Sequence, residues 1–154
     1  MSDRIEAIRA FALLALERLD HTVADISEED LDWRMCEGAN SVRWILTHTA
    51  QLGNIYIWKT LADDWDWWPD GWPRDYVDNP SYSLERIRKD LATGREGFME
   101  ALGGVTGEKI SEVIDFWGPR TREYAMMFII SEVIHHEGQL AHAMGILKRQ
   151  RGED

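Results

Sequence analysis

The sequence predicts an all-α protein, a bundle of four long helices. Four long segments carry apolar residues at three- and four-residue steps, the spacing that places them on one face of a helix. No segment shows the regular polar–apolar alternation of a half-buried strand. Hydrophobic residues make up 44% of the 154 residues, enough for one domain (residues 1–154) with its own core. These observations together favour a single helical bundle.

The first two helices are expected in the amino-terminal half of the chain. The first is expected over residues 3–20, where Ser2 can cap its start. The second is expected over residues 42–62, which contain no proline, and Asn40 or Ser41 offers a capping oxygen there. Its apolar stripe contains one histidine among aliphatic residues: Ile45, His48, Leu52 and Ile55.

A loop and a connector separate the remaining helices. Two prolines and a glycine within residues 63–73 predict a long loop. Ser83 is expected to cap the third helix, and the double glycine at 103–104 is expected to end it. The connector over residues 105–119 is expected to hold one helical turn or a short extended piece around 113–116.

The last helix, expected over residues 121–148, carries the clearest chemical signal. Its inward stripe includes a glutamate and a histidine among apolar residues: Ala125, Ile129, Glu132, Val133, His136, Leu140 and Leu147. Glu132 and His136 are four residues apart and therefore differ by only about 40° around the helix axis. They can aim at one point, and His48 can reach that point from across the bundle.

Two interpretations account for a carboxylate on a core-facing stripe. A buried ionised carboxylate without a partner costs several kcal/mol, so a cation is expected beside Glu132. A divalent metal held by Glu132, His136 and His48 would supply that cation, since carboxylate and imidazole are suitable ligands. Alternatively, Glu132 pairs with Arg43 or Arg120, and the histidines are hydrogen-bonded core residues.

Three neighbours on the last helix have their own interpretations. Gln139 shares the face of Glu132 and His136, so it either orients a metal ligand or forms a helix-packing hydrogen bond. His135 is turned about 100° away from His136, which favours a surface or interface role over a role as an alternative ligand. Gly138 is expected to permit close approach of another helix.

The loop after the second helix is rich in tryptophan. These side chains either cover the entrance to a site or, as we prefer, pack the bundle end or a dimer contact. The side chains concerned are Trp65, Trp67, Trp68 and Trp72. Aspartates interleave with them, which argues against an anionic partner at this loop.

The composition excludes several classes of partner. A net charge of −11 repels phosphate backbones, so we expect no nucleic-acid binding. No apolar run reaches membrane-spanning length and no leader opens the chain, so we expect no membrane partner. Cys36 is the single cysteine, which rules out an internal disulfide and favours a reducing, cytoplasmic location.

The run Glu132-x-x-x-His136-x-Gly-Gln, together with the segment Ser41-Val-Arg-Trp-Ile-Leu-Thr-His48, resembles the DinB-like superfamily of metal-binding four-helix bundles. That superfamily places one histidine in its second helix and a His-x-x-x-His or Glu-x-x-x-His pair in its last. The resemblance implies that His48, Glu132 and His136 bind a divalent metal, with zinc expected first and nickel or iron as alternatives. Members are often homodimers, and we expect one here.

Two departures refine what the resemblance implies. Glu132 stands where many members carry histidine, as in the branch that includes mycothiol-dependent maleylpyruvate isomerases, and Glu137 stands where arginine is common. The implied function is a metal-dependent transferase or isomerase that uses a low-molecular-weight thiol on small electrophiles. The rivals are a non-catalytic metal- or small-molecule-binding stress-response protein and a structural bundle whose function is dimerisation.

Overall fold

Four helical rods, one of them in three parts, form the body of the protein. The computed structural model describes residues 3–153. In chain order the elements are α1 (Asp3–Ala24), α2 (Val42–Gln51), a π-helical turn (Leu52–Tyr56, the π turn), α3 (Ile57–Ala62), α4 (Leu84–Gly104), α5 (Gly107–Ser111), β1 (Val113–Asp115), β2 (Pro119–Thr121) and α6 (Arg122–Arg151). The second rod comprises α2, the π turn and α3. The bundle predicted from periodicity is confirmed.

Three of the rods begin at capping hydroxyl groups. Ser41, Ser83 and Thr121 each accept a hydrogen bond from the backbone N–H three residues later, which satisfies one of the free donors at a helix start. The expected caps at Ser41 and Ser83 are therefore confirmed, whereas Ser2 lies outside the described residues. At the carboxyl end, α6 continues to Arg151 and stops at Gly152, whose positive φ of 73° suits a glycine.

The core runs along the inner faces of all four rods. Helices α1 and α6 pack along each other, and α2 and the π turn pack against α4 and α6. Fully buried side chains come from every rod: Ile5, Leu46, Ile55, Ile57, Ile87, Phe98, Leu102, Met126 and Ile130. This packing fixes the relative positions of α2 and α6, the two helices that carry His48, Glu132 and His136.

A short β-hairpin departs from the all-helical expectation. Strand β1 pairs with β2 in antiparallel register, with Ile114 opposite Arg120. The turn between them is closed by Asp115, whose carboxylate accepts the N–H of Gly118 at 3.0 Å. Three-residue strands are too short to show a period of two, so the sequence indicated only a possible extended piece there.

The π turn was also absent from the sequence prediction. The N–H of Ile57 donates to the carbonyl of Leu52, five residues back rather than four. The side-chain amide of Asn54 donates to the carbonyls of Ala50 and Asp90, each at 2.8 Å, and so satisfies a carbonyl of its own rod and one on α4.

Close helix approach occurs at Gly53 and not at Gly138. A Cβ added to Gly53 would lie 2.3 Å from the backbone oxygen of Gly94 on α4, so only glycine fits this crossing. Gly138 is exposed, and a Cβ added there would meet nothing within 4 Å. The expectation for Gly138 was therefore wrong.

None of the helices within residues 3–153 combines the length and apolar character needed to cross a membrane.

Candidate metal centre and its cavity

The structure brings together the three residues that the sequence singled out. One ligand atom from each of His48, Glu132 and His136 lies within 4.8 Å of the other two. Glu132 and His136 are one turn apart on α6, and the carboxylate Oε2 lies 3.7 Å from His136 Nε2. The rings of His48 and His136 are 4.7 Å apart between centroids and nearly perpendicular. Two histidine rings and a carboxylate therefore converge between α2 and α6.

His136 presents an unpaired nitrogen to this cluster. Its side chain is 6% exposed, and its Nδ1 lies 3.0 Å from Gln139 Oε1, an acceptor. Nδ1 therefore carries the proton in the neutral ring, which leaves a lone pair on Nε2. Nε2 is buried and has no hydrogen-bond partner within the described part of the chain. A buried lone pair beside a carboxylate fits a bound cation.

Burial keeps both histidines uncharged. It lowers the pKa of His48 to about 4, with the neighbouring His136 as a smaller cause. Burial also lowers the pKa of His136, although the Gln139 contact and Glu132 oppose that change. Neutral imidazole is the form that binds metal ions, so neither ring has to lose a proton at neutral pH.

The alternative in which an arginine neutralises Glu132 is wrong. The Arg43 guanidinium donates to Asp32 Oδ1 at 2.9 Å and to the carbonyl of Tyr82. The Arg120 guanidinium lies over the ring of Tyr124, 5.6 Å from its centroid. Both candidate arginines are thus engaged elsewhere.

Gln139 bridges the two adjacent histidines of α6. Its amide Nε2 lies 3.1 Å from Nε2 of the exposed His135, while its Oε1 faces His136. The amide therefore donates to one ring and accepts from the other. This arrangement fixes the orientation of the His136 ring, as expected if Gln139 orients a ligand.

A cavity of about 570 Å³ opens beside His48 and Glu132. Its wall is mostly aromatic and aliphatic: Leu52, Tyr56, Trp65, Asp115, Phe116, Trp117, Phe128 and Ile129 complete it. Within residues 3–153, no lysine or arginine lines it. A volume of this size accommodates a small organic molecule, and the apolar wall favours an uncharged body for that molecule.

Phe116 is the centre of the aromatic wall. Its ring contacts Trp65, Trp117 and Phe128 at centroid distances of 5.6, 4.6 and 5.4 Å. Neither Phe116 nor Trp117 was predicted from the sequence to be a site residue. An aromatic pair directly before Gly118-Pro119 was the signal available, because it places two large side chains at a turn.

Only one of the four loop tryptophans singled out above lines the cavity. The indole N–H of Trp65 donates to the carbonyl of Asp115 at 3.0 Å, which ties the loop to the hairpin. Trp68 lies under Arg74, and Trp72 packs on Tyr76 at 4.9 Å between centroids. The aromatic-wall interpretation therefore holds for Trp65, while Trp68 and Trp72 pack within the loop itself.

Glu137, whose partners were not predicted from the sequence, is a buried carboxylate. It is 4% exposed and accepts hydrogen bonds from Arg18 at 2.6 Å and Thr22 at 2.9 Å, both on α1. Its charge is thus compensated from α1. Because Glu137 is next to His136, its contacts with α1 hold α6 in place beside the cluster.

Comparisons with known proteins agree with this architecture. The model of the DinB superfamily matches residues 13–140. The solved structure of a conserved protein from Enterococcus faecalis is 19% identical, with a TM-score of 0.68 over 93% of this chain and 95% of that one. That of the DinB-like protein YjoA from Bacillus subtilis is 14% identical, with a TM-score of 0.72 over 96% and 94%. No curated protein matches the sequence.

Proposed function

This chain belongs to the DinB superfamily, and on that basis we propose that it binds one divalent metal ion through His48, Glu132 and His136. The observation that carries the proposal is the buried His136 Nε2, which lacks a hydrogen-bond partner within residues 3–153 and lies beside the Glu132 carboxylate. A cation at this point would satisfy both groups. The cluster would otherwise leave a buried polar atom unpaired, at a cost of about 1–3 kcal/mol.

Zinc is the first choice for this ligand set, with nickel and iron as alternatives. Two imidazole nitrogens and one carboxylate oxygen suit all three metals. Three protein ligands leave at least one coordination position open, which is the arrangement of catalytic rather than structural zinc sites. A bound divalent cation acts as a Lewis acid and lowers the pKa of a coordinated water or thiol.

For the reaction, we propose a metal-dependent transfer or isomerisation in which a low-molecular-weight thiol acts on a small electrophile. The family resemblance supports the thiol, and the cavity supports a small substrate with an apolar body. In this proposal, His48 and Glu132 bind the metal at the edge of the cavity. The aromatic wall around Phe116 holds the substrate and excludes water from it.

A non-catalytic metal- or small-molecule-binding protein is the second candidate. It is favoured by the chemistry of the cavity wall, where Asp115 is the one acidic group besides Glu132 among the lining residues described. One Asp115 oxygen already accepts the N–H of Gly118 in the hairpin turn. The wall therefore supplies little acid–base chemistry beyond the proposed metal ligands.

Metal analysis of untagged protein tests the metal proposal. We expect about one equivalent of zinc, nickel or iron in the wild type and loss of stoichiometric binding in Glu132→Gln. The matched control is Glu96→Gln, which removes an exposed carboxylate from α4 and should keep the metal. The proposal fails if the wild type binds none of the three metals after incubation, or if Glu132→Gln binds as well as the control.

Turnover separates the two candidate functions. Fully metal-loaded protein would be assayed with a panel of low-molecular-weight thiols and 1-chloro-2,4-dinitrobenzene, in which the thiol sulfur bonds to carbon and chloride leaves. Loss of this activity in a folded His136→Ala variant would favour the enzyme. No turnover with any thiol and electrophile tried, at full metal occupancy, would favour the non-catalytic protein.

A further inference from the structure

The π turn changes which face of the second rod Tyr56 occupies. Tyr56 follows His48 by eight residues, and in a regular α-helix eight residues would turn it about 80° away from His48. One extra residue accommodated in a π turn makes the spacing equivalent to seven residues, a difference of about 20°. The observed side chains agree with this register, because the two ring centroids are 6.5 Å apart and both residues line the cavity.

The turn that produces this register is held by specific contacts. The side-chain amide of Asn54 donates to the carbonyls of Ala50 and Asp90, and Gly53 is packed against Gly94 of α4. Interruptions of this kind are rare in helices and occur often at functional sites. Their effect here is to add a phenol beside His48 to a wall that is mostly aromatic and aliphatic.

The hydroxyl of Tyr56 is available to a ligand. No group within residues 3–153 hydrogen-bonds to it, although its ring is half-buried. The indole N–H of Trp65, another neutral donor on the wall, is already donated to the carbonyl of Asp115. The phenol therefore has an unused donor, on a residue that lines the cavity and shares a helical face with a proposed metal ligand.

We propose that Tyr56 is a ligand-binding residue whose hydroxyl donates a hydrogen bond to an oxygen of the molecule that occupies the cavity. This inference rests on the proposed metal site. It narrows the substrate class to small apolar molecules that carry an acceptor oxygen, such as a carbonyl or enolate, next to the atom that approaches the metal. Tyr56 itself is not a metal ligand.

Two probes that reach the metal through different atoms test this assignment. Benzohydroxamate coordinates through oxygens that can accept a hydrogen bond, whereas 4-phenylimidazole coordinates through a ring nitrogen and has no acceptor oxygen. Their affinities would be measured by calorimetry on zinc-loaded wild type, Tyr56→Phe and Tyr82→Phe. Tyr82→Phe removes a phenol that does not line the cavity. Zinc affinity of each protein would be measured first, by competition with a chelator.

We expect Tyr56→Phe to keep its zinc affinity and to bind benzohydroxamate about tenfold more weakly, the loss typical of one hydrogen bond. Its affinity for 4-phenylimidazole should equal that of the wild type, and Tyr82→Phe should match the wild type for both probes. Unchanged benzohydroxamate binding, or equal losses for both probes, would overturn the assignment.

The same measurements separate the Tyr56 assignment from the proposed metal site on which it rests. A wild type that binds zinc but neither probe contradicts the Tyr56 assignment and leaves the metal site standing. A wild type that binds no zinc contradicts the metal proposal, and the assignment falls with it. Zinc loss in Tyr56→Phe would indicate a structural role for the phenol and would likewise overturn the assignment.

Discussion

Gln139 holds the ring of His136 in one orientation, with its Oε1 3.0 Å from His136 Nδ1. The side-chain nitrogen of Gln139 lies 3.1 Å from His135 Nε2, so the oxygen and the nitrogen of the amide each contact a different histidine. Because Nδ1 carries the proton, Nε2 keeps its lone pair toward Glu132. In proteins, contacts of this kind tune metal ligands without touching the metal.

Gln139→Ala should therefore weaken zinc binding about 10- to 100-fold, the range typical for such partners of a ligand. The ring of His136 would lose the acceptor that fixes its orientation, while the ligand set would remain. Chelator competition measures the affinity. Gln150→Ala, an exposed glutamine on the same helix, is the matched control. Equal zinc affinity in the two variants would show that Gln139 serves helix packing alone.

The two glycines Gly53 and Gly138 should respond in opposite directions to alanine. Gly53→Ala forces a methyl group against the Gly94 backbone of α4, so we expect a loss of about 1–3 kcal/mol in the free energy of unfolding. Gly138→Ala fills open space at an exposed position of α6 and should gain up to about 1 kcal/mol. Chemical denaturation measures both. Similar effects of both substitutions would contradict the close approach of the π turn to α4.

Asp30 should stabilise the fold at neutral pH and lose this effect in acid. Burial raises the pKa of its carboxyl, but the amide and hydroxyl of Ser27 and the guanidinium of Arg151 outweigh burial and hold the pKa below its usual value. The folded state therefore binds the proton less readily than the unfolded chain. Stability from Asp30 is present above the unfolded value of about 4 and is lost as the pH falls through the folded value.

Asp30→Asn is accordingly expected to cost about 1–2 kcal/mol at pH 7, the range for loss of a capping carboxylate. The difference from wild type should shrink as the pH falls below about 4. Asp70→Asn, at an exposed loop position, is the control and should change little. Denaturant unfolding over the pH range gives the curves. A constant difference at all pH values would contradict the role assigned to the Asp30 charge.

The sequence predicted the bundle and the cluster because both depend on helical spacing. Glu132 and His136 share a helix face however the helices pack. His48 could be added to them because it lies on the core-facing stripe of another helix. The aromatic wall could not be predicted from the sequence, because the position of Phe116 depends on how the hairpin packs against Trp65. The π turn was equally hidden, because Asn54 makes one of its two hydrogen bonds to the backbone of Asp90 on a different helix.

The hairpin should form a contact between two copies of this chain. Val113 and Trp117 of the hairpin are 67% and 80% exposed, and Tyr124, in the first turn of α6 beside it, is 50% exposed. Three large apolar groups thus lie exposed on one small part of the surface. We expect a homodimer at micromolar concentration by light scattering and a shift toward monomer in Trp117→Ser. Leu14→Ser, which changes an exposed apolar residue on α1, should leave the mass unchanged. A monomeric wild type would refute the dimer.

The pair Arg18–Glu137 anchors α6 to α1 beside the cluster, and its two members should be strongly coupled. Arg18→Met leaves the buried Glu137 carboxylate with Thr22 as its remaining hydrogen-bond partner, so we expect a loss of about 1–3 kcal/mol. Adding Glu137→Met removes the stranded charge and should recover much of that loss. The exposed pair Lys148–Asp25 is the reference, where Lys148→Met should cost much less stability than Arg18→Met. Additive losses in the Arg18 and Glu137 double-mutant cycle would show that this ion pair does not anchor the helix.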